Sequence, residues 1–139
     1  MSFRDMIAKL EKNNERRRAL TTLYREQLEE LIPTIVVPFT ESRGTSACHL
    51  FPILLPIEYD RTSFMEHMKT NGIQTSIHYP PIHKFQTYSQ GNEALSNLPM
   101  TENVAGREVT LPLYAGLTDD NIAYVVQTVR SAFLKGINK

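Results

Sequence analysis

The segment from Phe3 to Ile32 contains no glycine and no proline, the two residues that most strongly disfavour a helix interior. Apolar residues recur at helical spacing in a first group over 3–10 and in a second group over 20–31. The polar stretch 11–18 interrupts this stripe, so the two ends of the helix are expected to pack against different partners. The segment therefore predicts a long N-terminal helix, which Pro33 ends because proline disfavours helical geometry in the residue before it.

Shorter elements follow, and turn residues set their boundaries. Asp60 is suited to cap a helix, Gly72 supplies the left-handed stop that helix C-termini favour, and Thr118 can cap the last helix. Thr101 is expected to cap a further short helix, and 82–99 is predicted to be loop-like. Strands are predicted at 34–38, 48–57, 73–79 and 109–112, and the main helices at about 3–31, 61–71 and 118–135.

These elements fit a single core, since a chain of this size buries roughly 68–70% of the surface that it exposes when unfolded. Their order predicts an α+β fold. We expect a small antiparallel or mixed sheet of three to four strands, with helices packed on one face and the long helix preceding it. No glycine-rich turn joins a strand to a helix, so a nucleotide-binding α/β core is not expected.

Composition and charge narrow the function classes. Hydrophobic residues make up 41% of the chain and charged residues 22%, as in ordinary folded domains. Fifteen Lys and Arg balance fifteen Asp and Glu, so nucleic acid is not an expected partner. No apolar run approaches the roughly 18–20 residues that cross a bilayer, and the N-terminus lacks the apolar core of a signal peptide. With Cys48 as the single cysteine, these features predict a cytoplasmic protein with no membrane partner.

The segment His78-Tyr79-Pro80-Pro81-Ile82-His83-Lys84 holds the densest group of polar and aromatic side chains. Its two prolines stiffen the backbone and can hold an imidazole and a phenol at the edge of a pocket with little ordering cost. Three interpretations stay open from the residues alone. The segment ends a strand and shapes its exit, or it contacts a ligand, or His78 and His83 contribute to a metal site.

Other candidate groups are weaker. Zinc would need a third ligand from His49, His67 or Cys48, but His67 is expected to be solvated and Cys48 to be a small buried residue. The run Arg16-Arg17-Arg18 is most simply a solvated helix face, although it could grip phosphate. No serine lies in a nucleophile elbow and no Cys-His-Asn pattern surrounds the cysteine, so we assign no catalytic residue and no metal ligand.

The order of several motifs resembles one enzyme family. The matching residues are Asp60-Arg61, Phe64, Met68, Gly72-Ile73, Thr75, His78 to His83, Leu111 to Tyr114 and Leu117-Thr118. The pattern is similar to the C-terminal domain of the DegT/DnrJ/StrS family. These are fold type I enzymes that depend on pyridoxal phosphate and transfer an amino group, usually from glutamate, to a keto sugar carried on a nucleotide.

The resemblance runs from about Lys9 to Phe133 and covers the last third of such an enzyme. It implies that residues 1–32 are an interdomain-type helix and that 33–139 form the α+β small domain. The large domain, with its Schiff-base lysine, has no counterpart here, so this chain would be a fragment of a transaminase that binds no cofactor alone. Its six lysines lie mostly on predicted helices, where an exposed ammonium is a poor Schiff-base amine.

The resemblance also implies the site and the partners. His78, Tyr79 and His83 would bind substrate, and the small domain would shape the cleft for a nucleotide sugar. Its partners would be the large pyridoxal-phosphate domain of the same enzyme and a second copy in a homodimer, since Phe3, Met6, Ile7 and Leu10 would form an exposed apolar patch. The alternative is a stand-alone domain that binds a sugar or a protein through the 78–83 loop, and a metal-binding module is the third hypothesis.

Overall fold

The structure is a computed structural model that describes residues 3–41, 44–89 and 97–134. The α+β class is confirmed, with a long N-terminal helix and a small antiparallel sheet. The elements in chain order are α1 (Phe3–Leu28), β1 (Phe51–Leu54), α2 (Arg61–Thr70), α3 (Gln86–Ser89), α4 (Pro99–Arg107), β2 (Glu108–Leu111) and α5 (Asp119–Leu134). Short 3-10 turns occupy Glu29–Leu31 and Ile82–Lys84.

Capping side chains hold the helices where the sequence predicts them. The Asp60 carboxylate accepts hydrogen bonds from the backbone N–H groups of Thr62 (3.3 Å) and Ser63 (2.8 Å) at the start of α2. Gly72 follows that helix with a φ of 74°, in the left-handed region that glycine tolerates best. At α5, the Asn121 N–H donates to the Thr118 hydroxyl at 3.1 Å. The predicted end of this helix at residue 135 lies outside the described residues.

Two expectations for the segment before β2 were wrong. Helix α4 begins at Pro99 with Leu98 at the N-cap position, so Thr101 lies inside the helix and does not cap it. The reason is that proline suits the first helical position, where its fixed φ is already helical and its missing N–H has no partner to lose. The segment 82–99 also contains a 3-10 turn and α3, so its described part is more helical than the predicted loop.

The sheet is narrower than predicted. Strands β1 and β2 pair antiparallel with Phe51 opposite Leu111 and Leu54 opposite Glu108. The predicted strand 34–38 contributes one bridge, between Val36 and Leu54, on the other side of β1. Continuing that register places Pro38 opposite Pro52 and Thr34 opposite Pro56. A proline has no N–H to donate, so this edge does not extend into a ladder.

The opposite edge is limited in a similar way. The predicted strand 73–79 contributes the bridge between Ser76 and Thr110, whose two backbone bonds measure 3.2 and 2.8 Å. In one direction the register places Gln74 opposite Pro112, which cannot donate. In the other, the His78 N–H donates to the side-chain carboxylate of Glu108 at 2.9 Å instead of to a ladder carbonyl.

The core lies on one face of this sheet, as predicted, and three helices cover it. Most of its fully buried members come from α1, β1, α2, β2 and α5, among them Leu20, Tyr24, Leu28, Phe51, Ile53, Phe64, Met68, Val109, Ile122 and Val129. Since successive side chains of a strand point to opposite faces, Val109 and Leu111 face the core, and Glu108 and Thr110 face the other side. Ser76, which pairs with Thr110 at the edge of the sheet, has its side chain on that second face.

Helix α1 is buried over its second half alone. Every described side chain from 4 to 13 is exposed, including Met6 (50%), Ile7 (54%) and Leu10 (52%), while Leu20 is fully buried. The side chain of Phe3, which belongs to the same predicted patch, lies outside the described part of the chain. None of the described helices has both the length and the apolarity needed to cross a membrane.

The arginine run is less solvated than the sequence suggested, because its side chains are partly buried. Arg16 Nη2 donates to the carbonyl of Leu117 and to Asp119 Oδ1, both at 2.8 Å. Arg17 Nε donates to the carbonyl of Ala47 at 3.1 Å. These side chains tie the middle of α1 to the loop before β1 and to the beginning of α5, because the fold brings distant backbone carbonyls to that side of the helix.

Candidate functional site

The candidate site is built around His78, at the end of the segment that bridges to β2. Three contacts orient this half-buried residue. Its backbone N–H donates to Glu108 Oε2 at 2.9 Å, its Nδ1 lies 2.9 Å from Thr110 Oγ1, and the Ser76 hydroxyl is more distant from Nδ1, at 3.4 Å. The imidazole is therefore held by side chains of the sheet face opposite the core.

Glu108 and Thr110 are the two β2 residues that contact His78. They are only 7% and 5% exposed, and the Thr110 hydroxyl donates a hydrogen bond to Glu108 Oε1 at 2.5 Å. Both carboxylate oxygens therefore accept a hydrogen bond, as a buried carboxylate requires. Sequence reasoning missed these two residues. The available signal was the alternation of polar Glu108 and Thr110 with apolar Val109 and Leu111 in a strand that is buried throughout.

Tyr79 lies next to His78 and faces solvent. Its side chain is 73% exposed, and its ring meets the imidazole edge to face, with centroids 4.9 Å apart and planes at 75°. The peptide bond between the two residues is cis. Both side chains line an open depression of about 430 Å³, together with Pro81, Met100, Thr101, Val104, Ala105 and Glu108. A second, smaller depression of about 190 Å³ reaches the other side of His78 and includes His49 and Gln74.

His83 is placed differently from the other two predicted site residues. It is 9% exposed, and its Nε2 lies 3.2 Å from Glu102 Oε1, while Lys84 Nζ lies 2.7 Å from Glu102 Oε2. The hydrogen bond from Lys84, followed by that from His83, lowers the pKa of the Glu102 carboxyl. His83 is not among the side chains that line the depression beside Tyr79. The structure thus brings His78 and Tyr79 together, whereas His83 joins the 3-10 turn to α4.

The described residues form no metal site. They hold no group of three or more His, Cys, Asp or Glu side chains that could share a metal ion. His67, which we expected to be solvated, instead contacts α5. Its Nε2 lies 2.9 Å from Ser131 Oγ and 3.2 Å from the Thr128 carbonyl.

Pyridoxal phosphate does not fit the described residues either. The cofactor needs a lysine amine kept unprotonated by burial or a neighbouring cation, with donors for its phosphate. Lys9, Lys12, Lys69 and Lys84, the four lysines in the described ranges, all have exposed side chains. Lys84 also forms an ion pair with Glu102, 2.7 Å from its carboxylate. We therefore derive no chemical step through this cofactor from the chain.

A family model for the DegT/DnrJ/EryC1/StrS aminotransferase family matches residues 4–130. The chain belongs to this family. The resemblance drawn from the motifs is thereby confirmed, and the match includes the long helix and the 78–83 segment.

Known relatives share most of this chain. An uncharacterised protein of Methanocaldococcus jannaschii is 32% identical over 128 residues, which cover 89% of this chain and 33% of that protein. The dTDP-4-dehydro-2,3,6-trideoxy-D-glucose 4-aminotransferase of Saccharopolyspora spinosa is 31% identical over 131 residues, covering 94% of this chain and 32% of the enzyme. The chain thus spans about a third of the length of the curated relatives that it matches.

A solved structure supports the same relationship. DesV of S. venezuelae, in complex with a ketimine intermediate, superimposes with a TM-score of 0.82 and 30% identity. The match covers 92% of this chain and 34% of DesV. The fold described above therefore corresponds to about a third of DesV.

Proposed function

We propose that this chain is the C-terminal domain of a pyridoxal-phosphate-dependent aminotransferase that acts on nucleotide-linked keto sugars. In this proposal the domain shapes the substrate cleft, and the large domain of the same enzyme supplies the cofactor and the catalytic lysine. Family membership, the one-third coverage and the dTDP-sugar aminotransferase among the relatives support it. The single cysteine fits the cytoplasmic location in which we place the enzyme.

The pairing of His78 with Tyr79 is the observation that carries the proposal for the cleft. One ring is held by the protein, and the other is exposed beside it, so the pair presents a fixed nitrogen and a phenol to an open depression. A hydroxyl-rich sugar needs such hydrogen-bonding groups, and rigid placement lowers the entropy that binding costs. His83 has a weaker claim to substrate binding because Glu102 already occupies its Nε2.

The exposed half of α1 is the surface that we assign to the partner domain. Met6, Ile7 and Leu10 lie one helical turn apart or less and are each about half exposed. An apolar stripe of this kind is covered in most soluble proteins. We propose that the large domain, and a second subunit in the homodimer, contact this end of the helix.

The test is an activity assay on the longest product that the gene encodes. We expect it to bind pyridoxal phosphate and to transfer an amino group from glutamate to a dTDP-linked keto sugar. His78→Ala and Tyr79→Phe should each lower kcat/KM for the sugar nucleotide by about tenfold or more, because a change of this size corresponds to the loss of one hydrogen bond to the ligand. Tyr88→Phe is the matched control, since Tyr88 is also exposed but does not line the depression.

Two outcomes would overturn this proposal. If His78→Ala and Tyr79→Phe both leave kcat/KM unchanged, the cleft assignment is wrong. If the gene encodes no longer product and the chain binds a sugar or a protein through the 78–83 loop, the stand-alone binding domain replaces the aminotransferase domain.

A further inference from the structure

We infer that Glu108 and Thr110 are positioning residues that hold the His78 imidazole in its Nδ1–H tautomer and leave Nε2 free to accept a hydrogen bond. The inference about the tautomer stands on the geometry of this chain. The identity of the ligand donor, a sugar hydroxyl, rests on the proposed function.

The direction of the hydrogen bonds follows from counting protons. A carboxylate can only accept hydrogen bonds. Glu108 receives the His78 backbone N–H at Oε2 and the Thr110 hydroxyl at Oε1. Thr110 has a single hydroxyl proton, which it donates to Glu108 Oε1. Its oxygen must then accept at the 2.9 Å contact with His78 Nδ1, which places a proton on Nδ1.

The neighbouring hydroxyl cannot easily reverse this order. Ser76 Oγ lies 3.4 Å from His78 Nδ1, at the limit of a hydrogen bond, whereas Thr110 Oγ1 lies at 2.9 Å. Glu108 and Thr110 are also buried, so bulk water does not compete freely for their hydrogen bonds. The hydrogen bonds that link the Glu108 carboxylate, the Thr110 hydroxyl and the His78 imidazole therefore form one network, in which each of these polar atoms has a defined role as donor or acceptor.

The consequence for the site lies at the second ring nitrogen. His78 Nε2 makes no hydrogen bond to any other described residue. In a neutral imidazole that carries its proton on Nδ1, Nε2 is an acceptor. Free histidine in water prefers the opposite tautomer, so the protein selects the less common form. A ligand group that meets this nitrogen must donate, as a hydroxyl does and a phosphate or carboxylate does not.

Nitrogen NMR of the chain tests the tautomer directly. In a ¹⁵N-labelled sample at about pH 8.5, roughly two units above the ordinary histidine pKa, long-range ¹H–¹⁵N correlations distinguish protonated from unprotonated ring nitrogens. Loss of one of the four histidine patterns in His78→Ala assigns the signal. We expect a protonated Nδ1 and an unprotonated Nε2. A protonated Nε2 in the wild-type protein would overturn the inference, whether or not any variant folds.

Substitutions at position 110 separate positioning from simple packing. Thr110→Val keeps the shape of the side chain and removes the hydroxyl, so the His78 pattern should move toward the Nε2–H form. Thr110→Ser should restore the Nδ1–H form. Ser76→Ala should leave the tautomer unchanged, because its contact is the longer one. If Thr110→Val folds and retains the Nδ1–H form, Thr110 does not position the ring.

Kinetics of the longer enzyme distinguish a failure here from a failure of the proposed function. Thr110→Val should lower kcat/KM for the sugar nucleotide about tenfold, and Thr110→Ser should recover most of it. If the tautomer shifts but kcat/KM does not, Nε2 has no ligand and the inference about the site fails. If His78→Ala and Tyr79→Phe both have no kinetic effect, the proposed cleft assignment fails while the tautomer result stands.

Discussion

The two halves of α1 have similar apolar spacing and opposite environments. Near the C-terminal end, Leu20, Tyr24 and Leu28 are fully buried against the sheet and α5. Near the N-terminal end, Met6, Ile7 and Leu10 face solvent. Helical periodicity therefore predicts a helix and its apolar face, but not which surface covers that face. In this family member, one half of the stripe belongs to the domain's own core.

The buried half is held by directional contacts as well as by packing. The Tyr24 ring stacks on Phe51 with centroids 4.5 Å apart, and its hydroxyl donates to the Pro112 carbonyl at 2.9 Å. The apolar side chains of Met6, Ile7 and Leu10, by contrast, are about half exposed and do not belong to this core. The two halves should therefore respond to the same substitution with different losses of stability.

The largest difference is expected between Leu28→Ala and Leu10→Ala. Truncating the fully buried Leu28 should lower the free energy of unfolding by about 2–5 kcal/mol, through lost burial and a residual cavity. Truncating the exposed Leu10 should change it by no more than about 0.5 kcal/mol. Urea unfolding of both variants measures the contrast. Equal losses would mean that the first half of the helix is packed as tightly as the second.

Sequence reasoning succeeded where the signal was local. The caps at Asp60 and Thr118 and the helical periodicity placed α2 and α5. The segment around His78 and Tyr79 supplied the substrate-binding residues, which stay a prediction. It failed where distant residues meet. Glu108 is thirty positions from His78, and no single-sequence pattern pairs them.

The prediction of the two outer strands, 34–38 and 73–79, failed for the same reason. Pro38 prevents pairing through its position opposite Pro52, and that register is a property of the folded chain. Likewise, the bonds of Arg16 to the beginning of α5 and of His67 to Ser131 depend on how the helices pack. Local sequence indicates the elements, while contacts between them require the tertiary structure.

A smaller effect is expected from Tyr24→Phe in the buried half. The substitution keeps the stacked ring and removes the hydroxyl, leaving the Pro112 carbonyl without its partner, so stability should fall by about 1 kcal/mol. Exposed Tyr88→Phe, the matched control, should have no measurable effect. A loss as large as that of Leu28→Ala would show that the hydroxyl organises more of the core than its one bond suggests.

The same tyrosine predicts an alkaline pH dependence. Burial raises the pKa of the Tyr24 phenol above its ordinary value, so the folded state keeps a proton that the unfolded state releases. The contribution of Tyr24 to stability should therefore be constant below about pH 10 and fall as the pH rises further. Unfolding midpoints across this range should decrease less steeply in Tyr24→Phe. An identical slope in both proteins would contradict the assignment.

Arg16 lies between the two halves, and its loss should cost less. Arg16→Gln removes the bonds to the Leu117 carbonyl and to Asp119, with an expected loss of up to about 1 kcal/mol. Asp119→Asn removes the exposed ion pair and one negative charge from the first turn of α5 but keeps the bond to the Leu117 carbonyl, and should cost less than Arg16→Gln. Urea unfolding at low and high salt separates the contributions, since screening weakens both effects of the Asp119 charge. If Asp119→Asn costs more, the carbonyl bond is not the important contact.

The smallest effect on folding is expected from Leu10→Glu in the exposed half, where we expect the change to appear in association instead. Unfolding free energy should stay within about 0.5 kcal/mol of wild type, because the side chain is already solvated. The wild-type chain should form dimers or larger species through its apolar stripe, and a charge placed there should shift it toward monomer.

Lys12→Glu introduces a carboxylate on the same exposed half without removing an apolar side chain, and is the matched control. Analytical ultracentrifugation over a concentration series measures the difference. A wild-type chain that stays monomeric, or a Leu10→Glu variant that associates as tightly, would mean that the exposed half of α1 does not drive association and would remove the support it gives to a partner domain.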